Sequence, residues 1–260
     1  MSKKPIVLSI SGHDPSGGAG IQADIETIGA LGCQPCTIIS CLTVQDSRSV
    51  SRLIPLNAAD ISEQAMTLLN DMPPNVVKIG LCGSVSVVEA IAAILKKLPQ
   101  TPVVFDPVLA AGDGNPLANN ALVAAINKHL IPLTTVLTPN TLEAAKLSGH
   151  SPDQPIELIT AKLQSLGASY TLITGGHQHG RFISNRLFHQ QQLISQLKWP
   201  RQNGEFHGTG CTLASAIAAY IALGHSIADA VEDAQGFTHN AVKQAHQPGK
   251  GQAFLNRQAI

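Results

Sequence analysis

The stretch Ile6-Val7-Leu8-Ser9-Ile10-Ser11-Gly12-His13-Asp14-Pro15-Ser16-Gly17-Gly18-Ala19-Gly20 begins as a short apolar run, passes into a glycine-rich loop and opens into an apolar-periodic segment from Ile21 to Leu31. It reads as a strand, a tight turn and a helix, stopped by Gly32. The same order recurs downstream. Strand-like runs at Thr37 to Val44, Val76 to Ile79, Val103 to Phe105, Thr135 to Thr138 and Tyr170 to Thr174 alternate with helical patterns at Ala58 to Leu69, Val85 to Leu98, Pro116 to Leu130, Thr141 to Leu147 and Ile156 to Leu166. The strands are apolar on both faces, as strands covered by helices on each side must be, so the fold class is α/β with a central, mostly parallel sheet.

Between Arg181 and Trp199 the pattern changes to two strand-like runs joined at Gln190-Gln191-Gln192, which reads as an antiparallel edge hairpin. Two closing helices follow, Thr212 to Leu223 and Ile227 to Ala245, the second expected to be interrupted at Gly236. The Gly- and Gln-rich tail over 247–260 is expected to be only partly ordered.

With 260 residues and no linker, charge block or repeat to divide them, the chain is expected to form a single domain over 1–260. Lys plus Arg and Asp plus Glu both number 17, and aromatic residues make up 3%, so neither nucleic acid nor an anionic membrane is an expected partner. No apolar run approaches the roughly 18 residues that span a bilayer. Five cysteines, an odd number in a chain too large to need disulfides, point to reduced thiols in a cytoplasm. Cys33 and Cys36 have the spacing of a metal or redox pair, but no second pair accompanies them, and buried small residues are the plainer reading.

In an open parallel sheet, ligands sit beyond the carboxyl ends of the strands. The chemistry-bearing residues fall there. Asp106-Pro107 follows one strand and Asn140-Thr141-Leu142-Glu143 the next; each is either a turn or capping group or a carboxylate for Mg²⁺, which takes one or two carboxylates plus phosphate oxygens. His207-Gly208-Thr209-Gly210-Cys211-Thr212 runs straight into the first closing helix, where free N–H groups and the helix dipole form an anion hole. Cys211 at that terminus is either a small packing residue or a thiol whose pKa falls below the usual ~8.5. Asp24, one turn into the first helix, either faces a substrate hydroxyl or complements the helix dipole. His177 and His179 read as ordinary loop residues, and His207 as too close in the turn to share a target with Cys211.

Ser11 to Asp24, Leu42-Thr43-Val44-Gln45, Val77-Lys78-Ile79-Gly80, Asp106-Pro107-Val108, Thr138-Pro139-Asn140 and His207 to Thr212 together resemble the hydroxymethylpyrimidine/phosphomethylpyrimidine kinases of thiamine biosynthesis, within the ribokinase-like superfamily. The resemblance extends from about Ile6 to the final helix. It implies a three-layer α/β/α fold and two ATP-dependent phosphorylations, of 4-amino-5-hydroxymethyl-2-methylpyrimidine and then of its monophosphate. By position it implies that Gln45 pairs with the aminopyrimidine, with Gly12, Asp24, Val44 and Leu81 around the substrate. Asp106, Asn140 and Glu143 would arrange Mg²⁺ and the ATP phosphates, Asp106 and Glu143 as metal ligands, with Thr174 and Thr209 on the nucleotide side. Gly208, Gly210 and Cys211 would enclose the transferred group, with Cys211 in the position of a base. His13, Leu81, Thr174 and Gln235 depart from the family pattern, the last two standing where lysines are frequent. The resemblance and an exposed sheet edge both imply a homodimer. Pyridoxal kinase is the near alternative. A thiol-dependent hydrolase or acyltransferase using Cys211, and a non-catalytic pyrimidine-binding protein, are the distant ones.

Overall fold

The computed structural model describes residues 3–112, 114–176 and 180–258. The elements follow one another as β1 (Ile6–His13), α1 (Gly20–Ala30), β2 (Gln34–Gln45), β3 (Val50–Pro55), α2 (Ala58–Asp71), β4 (Val76–Ile79), α3 (Val85–Leu95), β5 (Val103–Phe105), α4 (Asn120–His129), β6 (Val136–Leu137), α5 (Thr141–Ser148), α6 (Ile156–Ser165), β7 (Tyr170–Ile173), β8 (Phe182–His189), β9 (Gln192–Pro200), β10 (Phe206–His207), α7 (Thr209–Ala222), α8 (Ile227–Lys243) and β11 (Ala253–Phe254). Among the described residues, nine strands form one sheet in the order β3-β2-β1-β4-β5-β6-β7-β8-β9. From β2 to β7 neighbouring strands are parallel, while β3 at one edge and the β8–β9 hairpin at the other are antiparallel.

Successive side chains of a strand point to opposite faces, and here that parity divides the core in two. Leu8, Val77 and Phe105 pack with residues of α2 to α6 on one face. Val7, Val76 and Val104 pack with α1, α7 and α8 on the other. The result is the three-layer α/β/α arrangement expected from strands that are apolar on both sides. Strand order reverses between β1 and β4, which opens a crevice beyond their carboxyl ends.

Four local expectations are corrected. β3, at the sheet edge, is absent from the sequence reading: Ser51 and Arg52 interrupt its apolar residues and none of the strand is buried. α4 starts at Asn120 rather than Pro116, because the Asn119 side chain caps the helix by accepting from Leu122 N–H at 2.9 Å. α8 continues through Gly236 without interruption. A mid-helix glycine costs about 1 kcal/mol, and burial of Val231, Ala234 and Phe237 on either side outweighs it.

The tail is the fourth correction. Rather than fraying, residues 246–258 include β11, paired in parallel with β10, and Arg257, which is only 2% exposed. Its composition is that of a loose end, but its polar groups find partners in distant loops.

Candidate active site

The loop after β1 is organised by Asp14. Its Oδ1 accepts from the N–H and the hydroxyl of Ser16 at 2.8 and 2.7 Å, and its Oδ2 from the Ala19 N–H at 2.8 Å and from His207 Nε2 at 2.9 Å. Burial alone would raise the Asp14 carboxyl, but the bonds from His207 and Ser16 prevail and hold it down at about 2. His207 therefore serves to join this loop to the turn that begins α7.

That turn is made by Gly208, whose φ of +82° lies in the left-handed region that favours glycine. No side chain caps α7. The first N–H groups of the helix are thus free to meet an anion.

Asp106, at the end of β5, faces the same turn. A Cβ placed on Gly210 would stand 3.6 and 3.7 Å from its two carboxylate oxygens. Asp106 is 5% exposed, and its Oδ2 has no hydrogen-bond partner. Glu143 forms a capping box with Asn140: Oε2 accepts from Asn140 N–H at 3.0 Å while the Asn140 side chain accepts from Glu143 N–H at 3.0 Å. Glu143 Oε1 accepts from Leu109 N–H at 3.2 Å. Burial raises both carboxyls, that of Glu143 further because Asp106 stands beside it, while Lys78 and the Cys211 thiol draw Asp106 back. Two enclosed carboxyls, one with an orphaned oxygen, suit a divalent cation. Among the described residues no three His, Cys, Asp or Glu side chains are arranged to hold a metal by themselves, so phosphate oxygens would complete its shell.

Asp24 is not a group open to substrate. It is fully buried, and Lys78 Nζ lies 2.9 Å from both of its oxygens, with the Ser9 and Ser215 hydroxyls donating at 2.5 and 2.7 Å. Burial disfavours the Lys78 ammonium, but Asp24, and then Cys211 and Asp106, more than offset this and raise its pKa. Of the two readings of Cys211, the low-pKa thiol is the one the structure does not support. Burial pushes the thiol up to about 12, because the loss of solvent around the sulfur exceeds the pull of Lys78 and of the Gly20 N–H.

Of the residues expected around the substrate, Gly12 and Leu81 lie together: a Cβ on Gly12 would stand 3.0 Å from Cys41 Sγ and 3.1 Å from Leu81 Cδ2. Val44 and Gln45 stand further out, at the bulged end of the β2–β3 pair. Of the residues expected on the nucleotide side, Thr174 bridges to Asn140, its N–H donating to Pro139 O at 3.0 Å, so these two share one rim. Thr209 is the first residue of α7. Gln235 is buried and spent on Asn185 and Trp199: its Oε1 accepts from Asn185 Nδ2 at 3.0 Å and from Trp199 Nε1 at 3.2 Å. Cys33 and Cys36 are buried and unpaired. His177 and His179 lie outside the described residues. Sequence reasoning missed Lys78, the His207–Asp14 link and Arg257; only Lys78, a lone charge in an otherwise apolar strand, carried a local signal.

Residues 14–256 match the family described as phosphomethylpyrimidine kinase. A hydroxymethylpyrimidine/phosphomethylpyrimidine kinase of Rhizobium meliloti is 35% identical over 250 residues, covering 95% of this chain and 94% of that protein. The thiamine biosynthesis bifunctional protein of Geobacter sulfurreducens is 35% identical over 253 residues, covering 96% of this chain and 51% of that protein; the chain thus spans about half the length of this relative. A phosphomethylpyrimidine kinase of Clostridium difficile superposes with a TM-score of 0.79 at 32% identity, over 92% of this chain and 100% of that one. The pyridoxal kinase of Staphylococcus aureus in complex with AMP-PCP and pyridoxal superposes with a TM-score of 0.90 at 28% identity, over 99% and 95%.

Proposed function

From its match over residues 14–256 this chain belongs to the phosphomethylpyrimidine kinase family, and on that premise we propose that it phosphorylates 4-amino-5-hydroxymethyl-2-methylpyrimidine and then its monophosphate from ATP, in thiamine biosynthesis. The observation that carries the reading is the uncapped start of α7 at Gly208, Thr209, Gly210 and Cys211, set against the orphaned Oδ2 of Asp106. Preorganised N–H donors stabilise charge on a transferring phosphoryl group without further rearrangement.

Mg²⁺ held by Asp106, with Glu143 beside it, would neutralise charge on the ATP phosphates. Asn140, Thr174 and Thr209 line the nucleotide side, and Gln45, Val44, Gly12 and Leu81 the pyrimidine side, where the Gln45 amide offers a donor and an acceptor together. Cys211 stands where the hydroxyl proton leaves. Phosphoryl transfer passes through a loose transition state, so the thiol need not be ionised beforehand. For the thiol to take up that proton it must pass its own on, and the neighbouring Asp106 carboxylate would receive it. Asp24 acts from behind by holding Lys78.

A thiol held near 12 argues against a hydrolase or acyltransferase that relies on a thiolate at neutral pH. We further read the protein as a cytoplasmic homodimer, supported by five free cysteines and by β3, which is paired on one side only. No helix among the described residues is long and apolar enough to cross a membrane. The deciding experiment is ADP release with the pyrimidine alcohol, its monophosphate and pyridoxal, each with and without Mg²⁺. Turnover of both pyrimidines above pyridoxal is expected. Binding without ADP would leave only a pyrimidine-binding protein, and a preference for pyridoxal would favour the pyridoxal kinase reading.

A further inference from the structure

Arg257 takes no part in the chemistry just described, yet its side chain is 1% exposed. Its guanidinium donates from Nε to Thr212 Oγ1 at 2.8 Å, from Nη1 to Glu26 at 2.9 Å, and from Nη2 to the Gly18 carbonyl. Thr212 lies in the first turn of α7, and its hydroxyl donates to Gly208 O at 2.8 Å. Gly18 lies in the loop after β1. One planar group therefore ties together both glycine turns that flank the anion hole.

The two turns meet with no space between them. A Cβ on Gly208 would overlap the Gly18 carbonyl and stand 2.6 Å from Arg257 Nη2. A Cβ on Gly18 would overlap the His207 ring and stand 2.9 Å from the ring of Phe254. Phe254 belongs to β11, in register with His207 of β10. Upstream, the segment is moored to the loop after β2, where Gly251 N–H donates to Ser47 Oγ at 3.0 Å and Gln252 N–H to Ser47 O at 2.8 Å. The chain from Gly251 to Arg257 is thus a strap across the loops that the phosphoryl group would meet.

We infer that Arg257 is a positioning residue for phosphoryl transfer, holding the start of α7 in register with the loop after β1. The inference rests on the kinase reading above. Three donors in a fixed plane reach three acceptors at once, a geometry that a point charge cannot reproduce. A displacement of about 1 Å in such a site costs on the order of 10²-fold in rate.

The test is steady-state ADP release by the full chain and by R257A, with and without millimolar guanidinium, alongside thermal melting of both. R257A is expected to lose about 100-fold in kcat while KM for the pyrimidine alcohol stays within about twofold, because none of the three groups that Arg257 binds, on Thr212, Glu26 and Gly18, lies on the pyrimidine side. Guanidinium should restore R257A saturably by at least about tenfold and leave the parent enzyme unchanged. A kcat in R257A within threefold of the parent overturns the inference, as does a loss that guanidinium cannot restore in a variant that melts like the parent. If R257A does not fold, T212V removes one of the acceptors without changing the side-chain shape, and an unaltered kcat there overturns the inference equally. Absence of ADP release by the unmodified chain with every alcohol would instead strike the kinase reading, and this inference with it.

Discussion

His207 Nε2 lies 2.9 Å from Asp14 Oδ2, a contact across 193 positions of sequence that closes the loop after β1 onto the turn before α7. It makes the crevice acid-sensitive from one side. The Asp14 carboxyl is held down at about 2 from an ordinary 3.8, so the stability it confers is complete above pH 4 and is lost as the pH falls through 2. At 1.36 kcal/mol per unit the difference is about 2 kcal/mol. Urea unfolding between pH 6 and pH 2 should show the parent protein losing about that much more stability than D14N; parallel curves would remove Asp14 from the account.

The Lys78–Asp24 pair is fully buried, with Nζ 2.9 Å from both carboxylate oxygens. K78M would leave a carboxylate in the core without its counter-charge, at a cost of about 3–5 kcal/mol. D24N combined with K78M removes the stranded charge and keeps an oxygen for the Ser9 and Ser215 hydroxyls. The double variant should be clearly more stable than K78M in urea unfolding. A double variant as unstable as the single one would mean that shape, not charge, sets the cost.

The same pair shows what a sequence can and cannot display. Val76 to Ile79 and Val103 to Phe105 are legible to the residue because their apolar side chains must be shared between two cores, which is a local pattern. Asp24 is legible only as an acid on a helix, because its partner stands 54 residues away on the strand β4. β3 and the tail fail differently. The order of both comes from hydrogen bonds to other parts of the chain, as with Ser47 and Gln252, which neither the mixed make-up of β3 nor the Gly- and Gln-rich composition of the tail announces. In the candidate site, the glycine turns and the acids that follow strands stand out by type and position. The groups that aim them, His207 and Arg257, do not.

Cys211 offers a separate check on the site. Burial pushes its thiol up to about 12, so iodoacetamide should label it slowly at pH 7 and still slowly at pH 9. Rapid labelling at pH 7 would reveal a thiolate and revive the nucleophile reading. C211A should melt with the parent protein and lose about 10²- to 10⁴-fold in kcat, the usual share of a proton acceptor. An unchanged rate would remove Cys211 from the mechanism.

Gly208 and Gly210 are separated by one residue, and the structure assigns them different constraints. At Gly208 the backbone has φ of +82°, and a methyl group would overlap the Gly18 carbonyl, so G208A must either open the turn or push the two loops apart. Left-handed strain in a non-glycine residue costs about 1–3 kcal/mol, and the clash adds to it. At Gly210 the helix is regular, and a methyl would sit in ordinary contact, 3.6 Å from the nearer oxygen of Asp106. G210A should therefore fold and melt like the parent, with alanine favoured over glycine in a helix by about 1 kcal/mol, while its kcat falls at least about tenfold because the methyl intrudes between the Asp106 carboxylate and the N–H groups of the first turn. G208A should lose both stability and turnover. Thermal melting and ADP release measured on the two variants side by side separate the cases, and a G210A enzyme with parental kcat would place the phosphoryl group away from this turn.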